Sequence, residues 1–375
     1  MLKQLYIDNF RAFVNFTLPL QSKQLLLGRN GGGKSSVLDA LRGVRQFVVD
    51  SVPLENDKRQ VFTPDTLTRW QSVPVQVFEL EIGRDNELYQ YRLEIEHRDV
   101  APRSRVALES LKLNGKPLFE FKRGHVRLFR DDFSEGPDYP FDWGRSALAT
   151  IQPRNDNTKL SWFKERLARV YTIRMDAPNM SPSSQDEALF PLDSMTNFVA
   201  WYRQASGDGK SLSAFLAELR QALPGLDSLN LEPLGRGTKL LRAEFAPAEG
   251  SHSATPVSFD LDELSDGQRA LIGLYALLHF ALKRDVTVLI DEPDNYVSLD
   301  EIQPWLVRVM DQVDELGAQV VFVSHHPELL DLLARDHGVT LEREGCGPVR
   351  VKRFQGSAGS RLSPSEQIAR GWDRE

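Results

Sequence analysis

The sequence predicts an α/β protein with a mainly parallel core sheet, an antiparallel β-lobe and a helical insertion. Three observations predict it. From Ser265 the chain reads helix, strand (286–290), helix (302–316), strand (319–323), helix (328–334), the alternation that lays a parallel sheet under helices. The runs Val286-Thr-Val-Leu-Ile and Val320-Val-Phe-Val are apolar throughout, as strands buried on both faces are. Residues 73–82 and 87–95 instead alternate apolar and polar around Gly83-Arg-Asp-Asn, as an antiparallel pair with one wet face does.

The remaining elements follow in chain order. Residues 2–7 alternate loosely and read as a strand, and 24–27 (Gln-Leu-Leu-Leu) as a short apolar strand ending at Gly28. From Ser35 to Val48 the apolar positions Val37, Leu38, Leu41 and Val44 fall at helical spacing. A hairpin over 111–121 turns at Asn114-Gly115. The segment 130–143, rich in Gly, Pro and Asp, reads as loop, and 159–170 as helix. Three prolines and several serines make 176–192 a loop or lid. Helices are expected over 197–202 and 212–223, the latter stopped by Pro224-Gly225, and strands over 239–245 and 257–261.

Composition narrows the class. The chain has 375 residues, 26% of them charged and 41% hydrophobic, which are globular values. A net charge of −7 excludes a chain coated with positive charge for bulk nucleic-acid or membrane binding. One cysteine, Cys346, permits no internal disulfide and no Cys/His zinc module, and a reducing cytoplasm is the expected location. The longest nearly apolar run, 270–282, is 13 residues long, short of the roughly 20 that cross a bilayer, so it reads as a buried helix and no membrane role is expected.

Four motifs carry chemistry. Gly28-Arg-Asn-Gly-Gly-Gly-Lys34-Ser35 fits G-x-x-x-x-G-K-[ST] between a strand and a helix, as a P-loop requires. Its glycines let backbone N–H groups curl round a phosphate at the positive end of the following helix. Asn30, Gly31, Gly32, Gly33, Lys34, Ser35 and Ser36 are the nucleotide-binding candidates: Lys34 reaches the outer phosphates, and the Ser35 hydroxyl is a Mg²⁺ ligand. The run Val286–Ile290 ends in Asp291-Glu292 at the sheet edge where open α/β proteins bind ligands. There Asp291 can hold Mg²⁺ and Glu292 can take a proton from an attacking water. Alone, the same residues would also suit a strand ending in a solvated turn.

Leu264-Ser265-Asp266-Gly267-Gln268-Arg269 opens the apolar helix; Ser265 is a good N-cap, and such a capped start is also an anion site. Ser324-His325-His326-Pro327 ends the second apolar strand; a histidine here contacts the terminal phosphate, orients Glu292, or merely caps a turn. In Asn9-Phe10-Arg11, Arg11 is a candidate for the nucleotide or a subunit contact, with a solvated turn arginine as the alternative.

In this order the motifs resemble those of the ABC-type ATPase heads of the Rad50, RecF, SMC and OLD group, and look most like the stand-alone AAA family ATPases of prokaryotic defence islands. The resemblance rests on Asn9-Phe-Arg11, the Walker A motif at 28–35, the signature at 264–269, the Walker B motif at 288–292 and the switch histidine at 324–327. It implies ATP and Mg²⁺ as cofactors and dimerisation on ATP, as a homodimer or a higher oligomer of dimers. Ser265, Gly267 and Gln268 would then complete the partner's site, His325 would be the switch histidine, and 294–300 the D-loop at the interface. It also implies a discontinuous ATP-binding core (1–50 and 239–345), a β-lobe (51–150), a helical lid (151–238) and a C-terminal tail (346–375). The signature reads Ser-Asp-Gly where transporters have Ser-Gly-Gly; no long coiled coil or Toprim domain is present, and Gln76 and Gln152 are weak candidates for the Q-loop glutamine.

For the defence variety the resemblance implies a separate effector, often a nuclease, controlled by the ATPase. The alternative is a DNA-repair or recombination head of the RecF/Rad50 kind that clamps DNA. Residues 98–130 hold nine Lys/Arg against three Asp/Glu, which suits a DNA-facing or partner-facing surface, or a solvated hairpin face.

Overall fold

The computed structural model describes residues 1–55, 61–100, 102–247, 256–356 and 362–370. The chain forms two compact units, Met1–Val170 with Leu333–Glu375, and Tyr171–Leu332.

The first unit carries an eight-stranded antiparallel sheet in the order Phe16–Pro19, Leu2–Asp8, Val75–Arg84, Glu87–His97, Ser104–Leu113, Lys116–Lys122, His125–Phe129, Glu135–Pro140. Along Val75–Arg84 every second side chain is buried, the pattern that its alternation predicts. Two-residue turns link Val75–Arg84 to Glu87–His97, Ser104–Leu113 to Lys116–Lys122, and the latter to His125–Phe129. Asn114 (φ 49°) with Gly115 (φ 79°), and Arg123 (φ 53°) with Gly124 (φ 79°), supply the paired positive φ values that match hairpin twist. The stretch expected as loop over 130–143 contains the edge strand Glu135–Pro140. Pro137 and Pro140 masked it in the sequence, but an edge strand tolerates proline because one row of its N–H groups has no ladder partner.

The same unit holds the buried strand Lys23–Leu27, parallel to Gly338–Arg343, which in turn pairs antiparallel with Val349–Arg353. The last of these strands lies in the segment read as a tail. Helix Lys34–Val48 follows the first strand directly and buries Val37, Leu41, Val44 and Val48.

In the second unit, Thr287–Asp291 and Gln319–Val323 are fully buried and parallel, with Asp291 opposite Val323. The short strand Val170–Ile173 flanks the former. A smaller sheet joins Leu226–Pro233, Lys239–Phe245, Ser183–Ser184 and Val257–Asp260. Helix Asp266–Ala276 continues as a π-helical turn, Leu277–Ala281, buried all round. Helix Leu299–Leu316 packs on it: the Trp305 Nε1–H donates to the Leu274 carbonyl at 2.8 Å, and the Gln312 amide donates to the carbonyls of Leu278 and Leu282. Those last bonds satisfy acceptors that the wider π turn leaves without their usual helical partners. No helix among the described residues is long and apolar enough to cross a membrane.

One buried polar chain in the antiparallel sheet fixes a protonation state. His97 Nε2 donates to the Gln76 side-chain oxygen at 3.0 Å, and Nδ1 accepts from Ser104 Oγ at 2.9 Å. The Gln76 amide then donates to Thr66 Oγ1, which donates to the Thr63 carbonyl. Burial pushes the His97 pKa down from 6.5 to about 4. A depressed histidine pKa favours the fold above the unfolded-state value and loses that contribution as pH falls from about 6.5 to about 4. Replacing His97 by Gln is therefore expected to flatten the stability-against-pH curve in this window by up to about 3 kcal/mol, measured by urea unfolding at pH 7.5 and pH 4.5. Parallel curves for the variant and the natural chain would contradict the assignment.

Candidate functional site

The candidate residues fall into two groups, one in each unit. In the first, strand Lys23–Leu27 delivers the chain into the glycine loop. Gly28 adopts φ 141°, and a Cβ there would lie 2.4 Å from the Leu341 carbonyl oxygen, so only glycine fits. Gly33, at φ 94°, starts the helix; a Cβ there would press on the Phe13 ring at 3.1 Å. The loop closes with the Gly32 N–H donating to the Arg29 carbonyl at 2.9 Å.

No side chain caps helix Lys34–Val48, and its first turn contains no acid. The positive pole of the helix thus carries no capping side chain and no acid of its own first turn, an arrangement that phosphate sites share. The Lys34 ammonium lies within the loop, only 8% exposed, donating to the carbonyls of Gly28 at 2.6 Å and Arg29 at 3.3 Å. Asn30, Gly31 and Ser35 are exposed. Arg11 reaches the first turns of the same helix: Nη1 donates to Ser36 Oγ at 3.3 Å and pairs with Asp39 at 2.5 Å. Asn9, two residues earlier, is a structural clamp. It is fully buried at φ 57°, and its amide donates to the carbonyls of Val73 and Val75. Gln76 is committed to His97 and Thr66 inside the sheet, and Gln152 shows only its backbone carbonyl in a bond, accepting from Asn157.

In the second unit, Asp291 and Glu292 emerge where the parallel pair ends. Asp291 is 5% exposed and lies 3.9 Å from Arg174 Nε. Glu292 takes φ 49°, a strained turn for a non-glycine residue, held by its N–H on the Val323 carbonyl at 2.7 Å. The Asn295 amide donates to Glu292 Oε2 at 3.0 Å and steers that carboxylate. A helix-turn offset of three residues from the second acid was the available signal for Asn295, and sequence reasoning passed over it. Ser324, fully buried, donates to Asp294 at 2.6 Å and accepts from the His326 N–H at 2.9 Å. It thereby ties the segment after the acids to the turn that presents His325, whose side chain is exposed.

Ser265 caps the signature helix in a reciprocal box with Gln268: Ser265 Oγ accepts from the Gln268 N–H, and the Gln268 side chain accepts from the Ser265 N–H. Gly267 packs against the 294–300 segment so closely that a Cβ would lie 2.8 Å from the Tyr296 carbonyl oxygen. Tyr296 and Leu299 in that segment are 47% and 49% exposed. The acids, the histidine turn, the signature and the 294–300 segment thus form one contiguous group within this unit.

Two family models match the chain. One, described as "AAA domain, putative AbiEii toxin, Type IV TA system", covers residues 186–331, and one described as "AAA ATPase domain" covers residues 1–67. No curated protein matches the chain. Among solved structures, an Smc head bound to the C-terminal winged-helix domain of ScpA is similar over 98% of this chain and 99% of its own, with 13% identity and a TM-score of 0.58. An Smc head with an extended coiled coil, bound to the C-terminal domain of ScpA derived from Pyrococcus furiosus, is similar over 99% of this chain and 98% of its own, with 12% identity and a TM-score of 0.52. The two AAA models thus match the segments that hold the glycine loop and the group of acids, signature and histidine turn, and the chain shares the fold of these Smc heads.

Proposed function

We propose that the chain binds Mg²⁺·ATP, dimerises on it and hydrolyses it, and that this cycle controls a separate effector protein in prokaryotic anti-phage defence. The observation that carries the nucleotide reading is the uncapped helix start behind Gly28–Gly33, with the Lys34 ammonium already lodged in the loop. Such a cradle fits a polyphosphate: backbone donors, a helix pole and one mobile cation meet at one point.

Lys34 exchanges its carbonyl partners on Gly28 and Arg29 for phosphate oxygens. Ser35 and Asp291 would each offer a hard oxygen ligand of the kind Mg²⁺ takes, and the chemistry such an ion supplies when bound is neutralisation of phosphate charge. Glu292, steered by Asn295, accepts a proton from the attacking water. His325 stands at the strand end to contact the terminal phosphate or orient that water. Ser265, Gly267 and Gln268 serve the nucleotide of a second copy, and exposed Tyr296 and Leu299 give the adjoining segment an apolar surface to bury there.

Effector control draws support from the toxin–antitoxin wording of the family that matches residues 186–331, and from solved heads of this fold that carry a bound partner domain. The DNA-clamp reading draws less. Within the basic stretch 98–130, Arg105 pairs with Glu96, Arg127 with Asp138 and Arg130 with Asp156, so part of its charge is neutralised within the protein.

Lys34→Ala is expected to weaken ATP binding roughly 10- to 100-fold, the loss of one charged phosphate contact, with the unfolding midpoint nearly unchanged. Calorimetric titration reads the first and thermal unfolding the second; natural affinity in the variant would remove the glycine-loop assignment. For the shared site, Lys34→Ala and Ser265→Arg chains are each expected to lack ATPase activity alone. Mixed, they form hybrids in which one site joins an intact glycine loop to an intact signature, so activity should return once energy transfer between labelled chains shows exchange. Hybrids that form and stay inactive, while a doubly substituted chain beside a natural one is active, would show that Ser265 serves its own chain's nucleotide.

A further inference from the structure

Arg174 has no role in the reading so far, yet it stands beside the first of the two acids. It directly follows the short strand Val170–Ile173, the neighbour of Thr287–Asp291 in the sheet, so both residues leave adjacent strands together. Its backbone is pinned: the Arg174 N–H donates to the Asp193 carbonyl at 2.7 Å, and the Asp176 N–H to the Ser194 carbonyl at 2.9 Å. The side chain is 71% exposed, and its Nε lies 3.9 Å from Asp291 Oδ2, a contact too long for a hydrogen bond. An arginine fixed at its Cα, free at its tip and loosely paired with a buried carboxylate is a cation held in reserve.

Resting on the nucleotide reading above, we propose that Arg174 binds the terminal phosphate of the same ATP that Asp291 serves. The electrostatics favour the exchange. When Asp291 turns its charge to a metal ion, the guanidinium loses its counter-ion and meets a second cation close by. Phosphate oxygens of the nucleotide that Asp291 serves would then take its place, and a planar guanidinium can grip two of them at once. Lysine would keep the charge without the fork.

The neighbouring residues give this contact a route to the signature helix. The Met175 side chain packs on Gly273, where a Cβ would lie 2.8 Å from the Met175 methyl carbon, and the Pro178 carbonyl accepts from Arg269 Nη1 at 3.0 Å. Segment 174–178 therefore touches the acid pair at one end and the signature helix at the other. A phosphate held at the tip of Arg174 would thus be anchored on a segment that also packs on the helix that Ser265 caps.

The test compares binding of ADP and of the non-hydrolysable analogue AMP-PNP, with Mg²⁺, in the natural chain, Arg174→Ala, Arg174→Lys and Lys34→Ala, by titration calorimetry. Arg174→Ala is expected to bind AMP-PNP roughly 10- to 100-fold more weakly and ADP within about threefold of the natural chain, with Arg174→Lys between them. An equal loss for both nucleotides, or AMP-PNP affinity unchanged or raised, would overturn the proposal; raised affinity would mean that Arg174 only competes with the metal for Asp291. The Arg174 side chain is exposed, and circular dichroism checks that each variant is folded. Natural affinity in Lys34→Ala would instead overturn the nucleotide reading on which this proposal stands.

Discussion

The turn at Gly28 depends on a missing atom. Strand Lys23–Leu27 runs parallel to Gly338–Arg343, and the chain then passes so near the Leu341 carbonyl that any side chain would collide with it. That close approach sets the direction in which residues 29–33 curl, and so the direction in which helix Lys34–Val48 points its first N–H groups. Every later property of this unit's site follows from it: the bare helix pole, the lysine folded into the loop and the placing of Arg11 on the first turn. A helix of 15 residues that starts without a capping side chain leaves donors unsatisfied unless something else meets them.

The second unit solves a different problem, the holding of several charged or polar groups at one sheet edge. Two buried parallel strands end level, Asp291 opposite Val323, so their successors are neighbours by register alone. Ser324 then bonds Asp294 on one side and the His326 N–H on the other, and Asn295 holds Glu292. Gly267 admits the Tyr296 backbone against the start of the signature helix. These are short-range contacts between rigid elements, so a change at the acids is felt at Tyr296 and at Gly267 without any long path.

Much of this was legible in the sequence because periodicity and glycine chemistry are local. Helix 34–48, the strands ending at Leu27, Asp291 and Val323, and the hairpin at Asn114-Gly115 all appear close to where apolar spacing and turn residues put them. The strand Glu135–Pro140 was hidden by prolines that only its edge position tolerates, and Leu226–Pro233 by a polar, weakly alternating sequence. The site motifs were visible as motifs, but their supports were not. Asn9 as a backbone clamp and Arg174 beside Asp291 are contacts between residues distant in the chain, and no spacing rule announces them; Asn295 on Glu292 had only its three-residue offset as a signal. Gln76 shows the converse: its position in the sequence suited a nucleotide contact, whereas the sheet uses both ends of its amide to hold a neutral His97.

The central claim is that ATP itself closes two chains together. Glu292→Gln keeps the shape of the side chain that Asn295 holds while removing the proton acceptor, so bound ATP should persist. Light scattering of this variant with Mg²⁺·ATP, against Mg²⁺·ADP, measures the claim directly. The account predicts a mass near twice that of the 42.5 kDa chain, or a multiple of that pair, with ATP and a lower mass with ADP. The same mass with both nucleotides, while ATP remains intact and bound, would contradict it.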